Sequence, residues 1–239
     1  RVEDVLGRGH FSEVLRCADL ATGEVRAVKV VKKAKFMGFQ RRRMSQLSLL
    51  SEVDMLATLV HPSIVRLHER EETDEHVYLM MEYLPGGDLV GSIVGDGCFL
   101  ELHARSLFRE LCSAFRYLHA RSITHRDIKP DNILLTSRDR EAMRPKIADF
   151  GLSRMSQHSF DCVTFCGTLP YLAPEVVRSR FAAPAPSQPS QPAQPAQPAG
   201  YGLPADMWSL GVVLYNMTSG DQPFCADDLG DQILGGLYE

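Results

Sequence analysis

The chain has 239 residues and a formal net charge of −4, and its composition is 44% hydrophobic and 23% charged. These are the values of an ordinary globular protein, and they give no reason to expect bulk nucleic-acid binding. No apolar run is long enough to span a membrane, and the six scattered cysteines form no CxxC pair, which favours a reducing compartment with free thiols. Because the chain starts on a strand-like segment without a methionine, we expect it to be an excerpt of a longer protein.

The first 31 residues predict short strands joined by glycine-bearing turns. The glycine-rich turn 7–14 lies between two of these strands. Glycines let a backbone approach phosphates closely and present N–H groups to them. By itself this signal is weak, because such a turn is more often only a hairpin.

Lys29 occupies an inward-facing position of the next predicted strand and therefore needs a counter-charge. Residues 46–60 carry apolar side chains at helical spacing, and Pro62 ends the pattern. Glu52 interrupts the apolar face of this predicted helix, which makes it the candidate partner of Lys29. A solvated surface pair is the alternative interpretation.

An apolar strand is predicted over 77–84, followed by the turn Pro85-Gly86-Gly87-Asp88. A clear amphipathic helix is predicted next, and it ends shortly before His125. Its apolar stripe is predicted to be core: Leu107, Phe108, Leu111, Ala114, Phe115 and Leu118.

The stretch 125–132, His-Arg-Asp-Ile-Lys-Pro-Asp-Asn, places an acid, two cations and a carboxamide within a few residues. Burying such groups unpaired would cost several kcal/mol apiece, so a polar cleft is their expected location. Asp149 follows a short predicted strand, where its carboxylate can hold Mg²⁺ together with Asn132. Oxygen ligands of this sort suit a hard cation.

The loop after Gly151 is rich in serine and threonine and is predicted to be mobile until something orders it. Arg126 is the natural partner for a phosphate on that loop. Residues 182–200 form a Gln-Pro-Ala repeat that cannot bury enough apolar surface to order its backbone, so a disordered or polyproline-like insert is predicted. The apolar helix beyond it is predicted to start at Asp206, which can both cap the helix and bond the backbone of 125–132.

These motifs stand in the order and approximate spacing of protein kinases: the glycine-rich turn, Ala27-Val28-Lys29, Glu52, His-Arg-Asp, Asp149-Phe150-Gly151, Gly167-Thr168 and Ala173-Pro174-Glu175. The chain therefore resembles a eukaryotic serine/threonine protein kinase domain of the calcium/calmodulin-dependent group. Within that group it is most similar to the FHA-associated DNA-damage checkpoint kinases, of the checkpoint kinase 2 type. The resemblance implies an α+β bilobal fold, with a β-rich N-lobe over 1–82 that carries one regulatory helix, a hinge over 83–88, and a mainly helical C-lobe over 89–239.

The resemblance also implies an ATP-dependent enzyme that uses Mg²⁺. Its catalytic residues would be Asp127, which receives or orients the substrate hydroxyl, Lys129 near the γ-phosphate, and Lys29 on the α- and β-phosphates. Asn132 and Asp149 would hold the metal. The implied ATP-binding residues are Gly7, Arg8, Gly9, His10, Phe11, Ser12, Val14, Ala27, Lys29, Glu52, Met81, Glu82, Leu84, Asp88, Asn132, Leu134 and Asp149.

Regulation is expected at Thr164, the predicted phosphosite, through Arg126; Thr168 and Glu175 complete the regulatory set. The resemblance implies an upstream activating kinase or trans-autophosphorylation, a nuclear or cytoplasmic location, and no direct nucleic-acid or membrane partner. Asp88 and Asp131 would favour protein substrates with a basic residue upstream of the target Ser or Thr.

Two features depart from the family pattern. Leu169-Pro170 reverses the usual place of proline, which affects the pocket beside the target residue. The arginine that pairs with Glu175 in the family lies on a late helix beyond Glu239, so we expect this excerpt, incomplete at the end of its C-lobe, to be destabilised or inactive alone.

Three alternatives to an active protein kinase are open, and a fourth alternative concerns the subclass. A pseudokinase or scaffold would lack Lys29, Asp127 or Asp149, and all three are present. A binding module would centre on the Gln-Pro-Ala insert. A small-molecule kinase would lack the Ala173-Pro174-Glu175 and Gly167-Thr168 motifs. Another kinase of the calcium/calmodulin-dependent group remains the alternative for the subclass.

Overall fold

The structure, a computed structural model, describes residues 1–9, 12–33, 57–149, 169–181, 202–224 and 229–236, without the side chains of 179–181. These residues divide into two compact units. The first contains Arg1–Gly87 together with 134–149, and the second contains Asp88–Ile133 together with the described residues from 169 onward. The predicted regulatory helix, apart from 57–60, the loop after Asp149 and the insert 182–200 lie outside the described residues.

The first unit is built on a five-stranded antiparallel sheet in the order β1-β2-β3-β5-β4. Its strands are β1 (Val2–Arg8), β2 (Ser12–Ala18), β3 (Val25–Lys32), β4 (Leu67–Glu72) and β5 (His76–Glu82). The β-branched run of β3 suits a central strand, because such side chains pack well on a pleated surface. Alternate residues of β3 are buried, namely Ala27, Lys29 and Val31. The predicted strands of this region are therefore confirmed, including the inward direction of Lys29.

A second, two-stranded sheet pairs β6 (Ile133–Leu135) with β7 (Pro145–Ile147). Strand β7 is also attached to the segment that precedes β4. The amide of Ile147 donates to the Ser63 carbonyl and the amide of Val65 donates to the Ile147 carbonyl, both at 2.9 Å. These two bonds fix the position of β7 in the first unit.

The second unit is mainly helical. Its α-helices are α1 (Leu89–Asp96), α2 (Glu101–His119), α3 (Pro174–Phe181), α4 (Leu203–Ser219) and α5 (Leu229–Gly235), and short 3-10 turns cover Pro130–Asn132 and Leu169–Tyr171. Helix α2 confirms the predicted amphipathic helix. Its buried stripe contains Ala104, Leu107, Leu111, Ala114, Phe115 and Leu118, whereas Phe108 is only half-buried.

The predicted start of α4 at Asp206 is wrong. The helix begins at Leu203, with Gly202 as its N-cap and Pro204 in its first turn, and Asp206 lies inside that turn. Proline is tolerated there because the first turn needs no amide donor. Among the described residues, the structure contains no helix with the length and apolar character required to cross a membrane.

Candidate active site

In the first unit, Lys29 and Asp149 form an ion pair across 120 positions of the sequence. The Nζ of Lys29 lies 2.6 Å from Oδ1 of Asp149. Lys29 is only 6% exposed, whereas the Asp149 side chain is 47% exposed. A buried ammonium group is costly unless a negative charge faces it, and Asp149 supplies that charge. The backbone of Asp149 is left-handed, with φ of 57°. This conformation, uncommon for a residue with a side chain, turns the chain directly after β7.

The glycine-rich turn closes the hairpin between β1 and β2. The amide of Gly9 donates to the Ser12 carbonyl at 2.7 Å, and Arg8 Nε donates to Glu13 at 2.7 Å. Gly7 pairs with Val14, and Val14 pairs in turn with Lys29 on β3. The hairpin therefore lies beside the strand that carries the lysine. His10 and Phe11 lie outside the described residues.

Several predicted ATP-binding residues have defined places in the two units. Met81 and Glu82 end β5, Leu84 follows them, and half-buried Leu134 is in β6. Asp88, in the second unit, caps α1, and its Oδ1 accepts the Gly91 amide at 2.7 Å. Glu52 lies outside the described residues, so its predicted pairing with Lys29 stays a prediction.

The backbone of the loop 125–127 is held by the buried carboxylate of Asp206 from α4. Its Oδ2 accepts the His125 amide at 3.0 Å, and its Oδ1 accepts the Arg126 amide at 2.9 Å. Asp206 is 1% exposed, and His119 Nε2 lies 3.0 Å from the same Oδ2. The predicted bond between Asp206 and the loop backbone is therefore confirmed, although its capping role is not.

Asp127 is held by two side chains from the residues that follow it. Asn132 Nδ2 donates to the Asp127 carbonyl at 2.6 Å and to its Oδ2 at 3.0 Å. Lys129 Nζ lies 3.4 Å from the same Oδ2. Because Asn132 uses its NH₂ group for these bonds, its amide oxygen remains a possible metal ligand. The loop thus presents a carboxylate, an ammonium group and a carboxamide oxygen together.

The regulatory residues are only partly described. Arg126 adopts a left-handed backbone with φ of 71°, and its Nε donates to Thr124 Oγ1 at 3.0 Å. Glu175 is exposed in the first turn of α3. Thr164 and Thr168 lie outside the described residues, so the phosphosite remains a prediction.

A buried polar network that the sequence analysis missed attaches the turn Leu169–Tyr171 to α4. The Tyr171 hydroxyl donates to Asn216 Oδ1 at 3.0 Å, and Ser209 Oγ donates to the Tyr171 carbonyl at 2.6 Å. Burial, followed by the negative charge of Asp131, raises the pKa of Tyr171 to about 12. The turn that carries the unusual Leu169-Pro170 order is thus held at its last residue by two side chains of one helix.

His119 was also missed, although a weak signal for it existed. It is the last residue of the amphipathic helix α2 and lies at the edge of the apolar stripe, four positions after buried Phe115. A polar residue at the end of a core helix that leads into a charged loop is a candidate partner for that loop. Its actual partner, Asp206, is 87 positions away and could not be read from local spacing.

Comparison with known proteins agrees with this geometry. The protein kinase domain model matches residues 1–235 of the chain. The chain is 35% identical over 240 residues to the serine/threonine-protein kinase RAD53 of Saccharomyces cerevisiae, covering 99% of this chain and 28% of that protein. It is 34% identical over 222 residues to the serine/threonine-protein kinase cds1 of Schizosaccharomyces pombe, covering 92% of this chain and 45% of that protein. The chain therefore spans less than half of each of these two relatives.

A solved structure is also similar, namely a crystal structure of Rad53 1-466 in complex with AMP-PNP. It matches the whole of this chain and 53% of its own, with a TM-score of 0.74 and 34% identity. The predicted resemblance to the checkpoint-kinase branch and the predicted α+β fold, with a β-sheet N-lobe and a helical C-lobe, are both confirmed.

Proposed function

The chain belongs to the protein kinase family, with serine/threonine-protein kinases among its relatives, and on this premise we propose that it transfers the γ-phosphoryl group of Mg-ATP to serine or threonine in proteins. The observation that carries the proposal is the loop of the second unit, in which Asn132 and Lys129 hold Asp127 while Asp206 holds the backbone. Phosphoryl transfer asks a protein mainly for positioning and charge stabilisation, and this loop is held at both its backbone and its side chains.

The residues of the first unit are assigned to the nucleotide. Lys29 binds the α- and β-phosphates, and its burial on β3 limits the directions in which its ammonium group can point. The glycine-rich turn covers the phosphates with backbone N–H groups. The backbone at Glu82 and Leu84 bonds the adenine edge, with Val14, Ala27, Met81 and Leu134 as its apolar neighbours. The complex of the Rad53 relative with AMP-PNP supports nucleotide binding by this chain.

The residues of the second unit are assigned to the acceptor. Asp127 orients the substrate hydroxyl and accepts its proton as the oxygen attacks, while Lys129 stabilises negative charge on the γ-phosphate. The ion pair between Lys129 and Asp127 orients the Asp127 carboxylate.

By resemblance to the family, Mg²⁺ is assigned to the amide oxygen of Asn132 and the carboxylate of Asp149. Among the described residues, no three His, Cys, Asp or Glu side chains gather as a metal site. Mg²⁺ fits this sparse donor set, because it commonly takes one or two protein oxygens and completes its shell with water and phosphate oxygens. When bound, it neutralises charge that develops between the β- and γ-phosphates.

The proposal extends to substrate choice and biology through the checkpoint-kinase relatives. Asp88 and Asp131 would favour a basic residue upstream of the target, and phosphorylation of Thr164 would order its loop through Arg126. We place the protein in DNA-damage checkpoint signalling, in the nucleus or cytoplasm, with an upstream kinase or a second copy as its activator. RAD53 and cds1 among the relatives support this placement.

The test is a peptide-library phosphorylation assay on the full-length protein that contains this chain, with Asp127→Asn as the control. Wild type should transfer phosphate only with Mg²⁺ and ATP, and should prefer peptides with a basic residue upstream of Ser or Thr. Asp127→Asn should lower kcat by at least about a hundredfold, the usual scale for losing a general base. Transfer that the substitution leaves unchanged would overturn the role assigned to Asp127. No Mg²⁺- and ATP-dependent transfer by the full-length protein would overturn the enzyme and favour a scaffold.

A further inference from the structure

The side chain of Glu82, at the end of β5, is held twice within the first unit. Its Oε1 accepts the Arg66 amide at 2.7 Å and the Lys146 Nζ at 2.8 Å. The Glu82 amide donates to the Arg66 carbonyl at 3.1 Å. Backbone and side chain of Glu82 are therefore both fixed, and one of the three bonds comes from a charged side chain on another strand.

Lys146 is fixed in turn by the strand that carries it. Ile147, its neighbour in β7, is bonded through both its amide and its carbonyl to the segment 63–65. The Lys146 side chain is 16% exposed and that of Glu82 is 23% exposed, so this pair is largely removed from solvent. An ammonium group in such a place needs a carboxylate partner to offset its desolvation.

The hairpin formed by β6 and β7, which carries Lys146, also holds the chain a few residues beyond Glu82. The Gly86 amide donates to the Leu135 carbonyl at 3.0 Å, and the Leu135 amide donates to the Gly87 carbonyl at 2.8 Å. A Cβ at Gly86 would lie 2.4 Å from the Leu135 carbonyl oxygen and 2.6 Å from that of Ser137. The segment 82–87 is thus attached to the hairpin β6–β7 at both ends, by an ion pair at one end and by close backbone contact at the other.

We propose that Lys146 is a positioning residue for the adenine of ATP, acting through Glu82. This inference rests on the proposed function, in which the backbone at Glu82 and Leu84 bonds the adenine edge. Hydrogen bonds weaken steeply as their distance and angle change, so a backbone acceptor binds tightly only where its position is fixed. The close contact at Gly86 fixes one end of the segment, and the Lys146–Glu82 pair fixes the end that meets the base.

Lys146→Met tests this, because methionine keeps most of the side-chain length and removes the charge. Binding of adenosine and of AMP-PNP should be measured by calorimetry on the same preparation. Both should weaken by about the same factor, roughly three- to tenfold, which is the usual effect of losing one such hydrogen bond. The KM for a peptide should not change, and Lys146→Arg, which keeps a charged donor, should restore most of the affinity.

Lys33→Met is the matched control. Lys33 is another largely buried lysine of the first unit, and its partner is Glu72 at the end of β4. Its substitution should leave both nucleoside affinities unchanged. Glu82→Gln is a second variant in case Lys146→Met folds poorly, since it keeps an acceptor for Arg66 and removes the charge; it should weaken both ligands in the same ratio.

The outcomes separate this inference from the function on which it rests. If wild type binds AMP-PNP but Lys146→Met and Glu82→Gln bind both ligands as tightly, the positioning role is overturned and ATP use stands. If only AMP-PNP weakens, Lys146 acts on the phosphates and the inference is also overturned. If wild type binds neither ligand, the proposed ATP dependence is overturned, and this inference with it.

Discussion

Lys29 and Asp149 face each other at 2.6 Å, but the lysine is buried and the aspartate is half exposed. Removing either partner therefore has unequal consequences. Without Asp149, a buried ammonium group loses the counter-charge that the described residues provide. Without Lys29, a carboxylate that already meets solvent only becomes better hydrated.

We expect Asp149→Asn to lower the free energy of unfolding by about 1–3 kcal/mol and Lys29→Met to change it much less. Urea unfolding of the two variants beside wild type measures both values. If the proposed function is right, each variant should also lose most of its transfer activity. Lys29→Met would then lose activity with little loss of stability, whereas Asp149→Asn would lose both. An equal loss of stability in the two variants would contradict the asymmetry.

Asp206 offers a second stability prediction, because its carboxylate accepts the backbone amides of both His125 and Arg126. In Asp206→Asn, one oxygen is replaced by an NH₂ group that cannot accept, so one buried amide is left facing a donor. We expect a loss of about 2–4 kcal/mol in the free energy of unfolding, with a fall in kcat as the loop loosens.

His119→Phe is the matched control for that variant. It removes one contact to the same carboxylate while keeping a ring beside Phe115, with which His119 now makes an edge contact. Its cost should be about 1 kcal/mol. A cost equal to that of Asp206→Asn would mean that the imidazole, not the backbone, is the main partner of Asp206.

The raised pKa of Tyr171 predicts a change of stability with alkaline pH. In the unfolded chain the hydroxyl ionises near pH 10, whereas in the folded chain burial holds its proton until about pH 12. The folded state therefore binds more protons between these values, and the free energy of unfolding should fall as pH rises, by about 1.4 kcal/mol per pH unit. Tyr171→Phe should lack this pH dependence. The free energy of unfolding of the variant, minus that of wild type, should therefore rise between pH 10 and pH 12. A constant difference would show that Tyr171 ionises alike in both states.

Gly86 is predicted to tolerate no side chain. Because a Cβ there would meet two backbone carbonyls, Gly86→Ala can be accommodated only by moving β6 or the segment 82–87. We expect a loss of about 1–3 kcal/mol, as for other overpacked sites, in thermal or urea unfolding. Gly95→Ala in α1 is the control, since nothing lies within 4 Å of its Cβ position and alanine favours a helix. It should be neutral or stabilise by a few tenths of a kcal/mol.

Local patterns in the sequence predicted much of the fold. Alternation placed Lys29 on the buried face of a strand, and helical spacing marked the apolar stripe of α2. The His-Arg-Asp stretch was found by composition, since so many charges in so few residues do not suit a core. These signals work because period and charge density are properties of neighbouring residues.

The prediction for Asp206 shows where local reasoning fails. An aspartate before an apolar run is a good N-cap, so the helix was predicted to begin there, but Pro204 already suits the first turn and the helix begins at Leu203. The carboxylate is instead directed to amides about 80 positions earlier in the chain.

By itself, the sequence determined which residues are polar where a core would be apolar, which segments repeat as strands or helices, and to which family the chain belongs. Only the tertiary structure decided the partners: Asp149 for Lys29, His119 for Asp206, Asn216 for Tyr171 and Lys146 for Glu82. The type of a charged or polar residue indicates that it needs a partner once it is buried, but it does not identify that partner. That choice depends on which distant strands and helices the folded core brings together, and no local period records it.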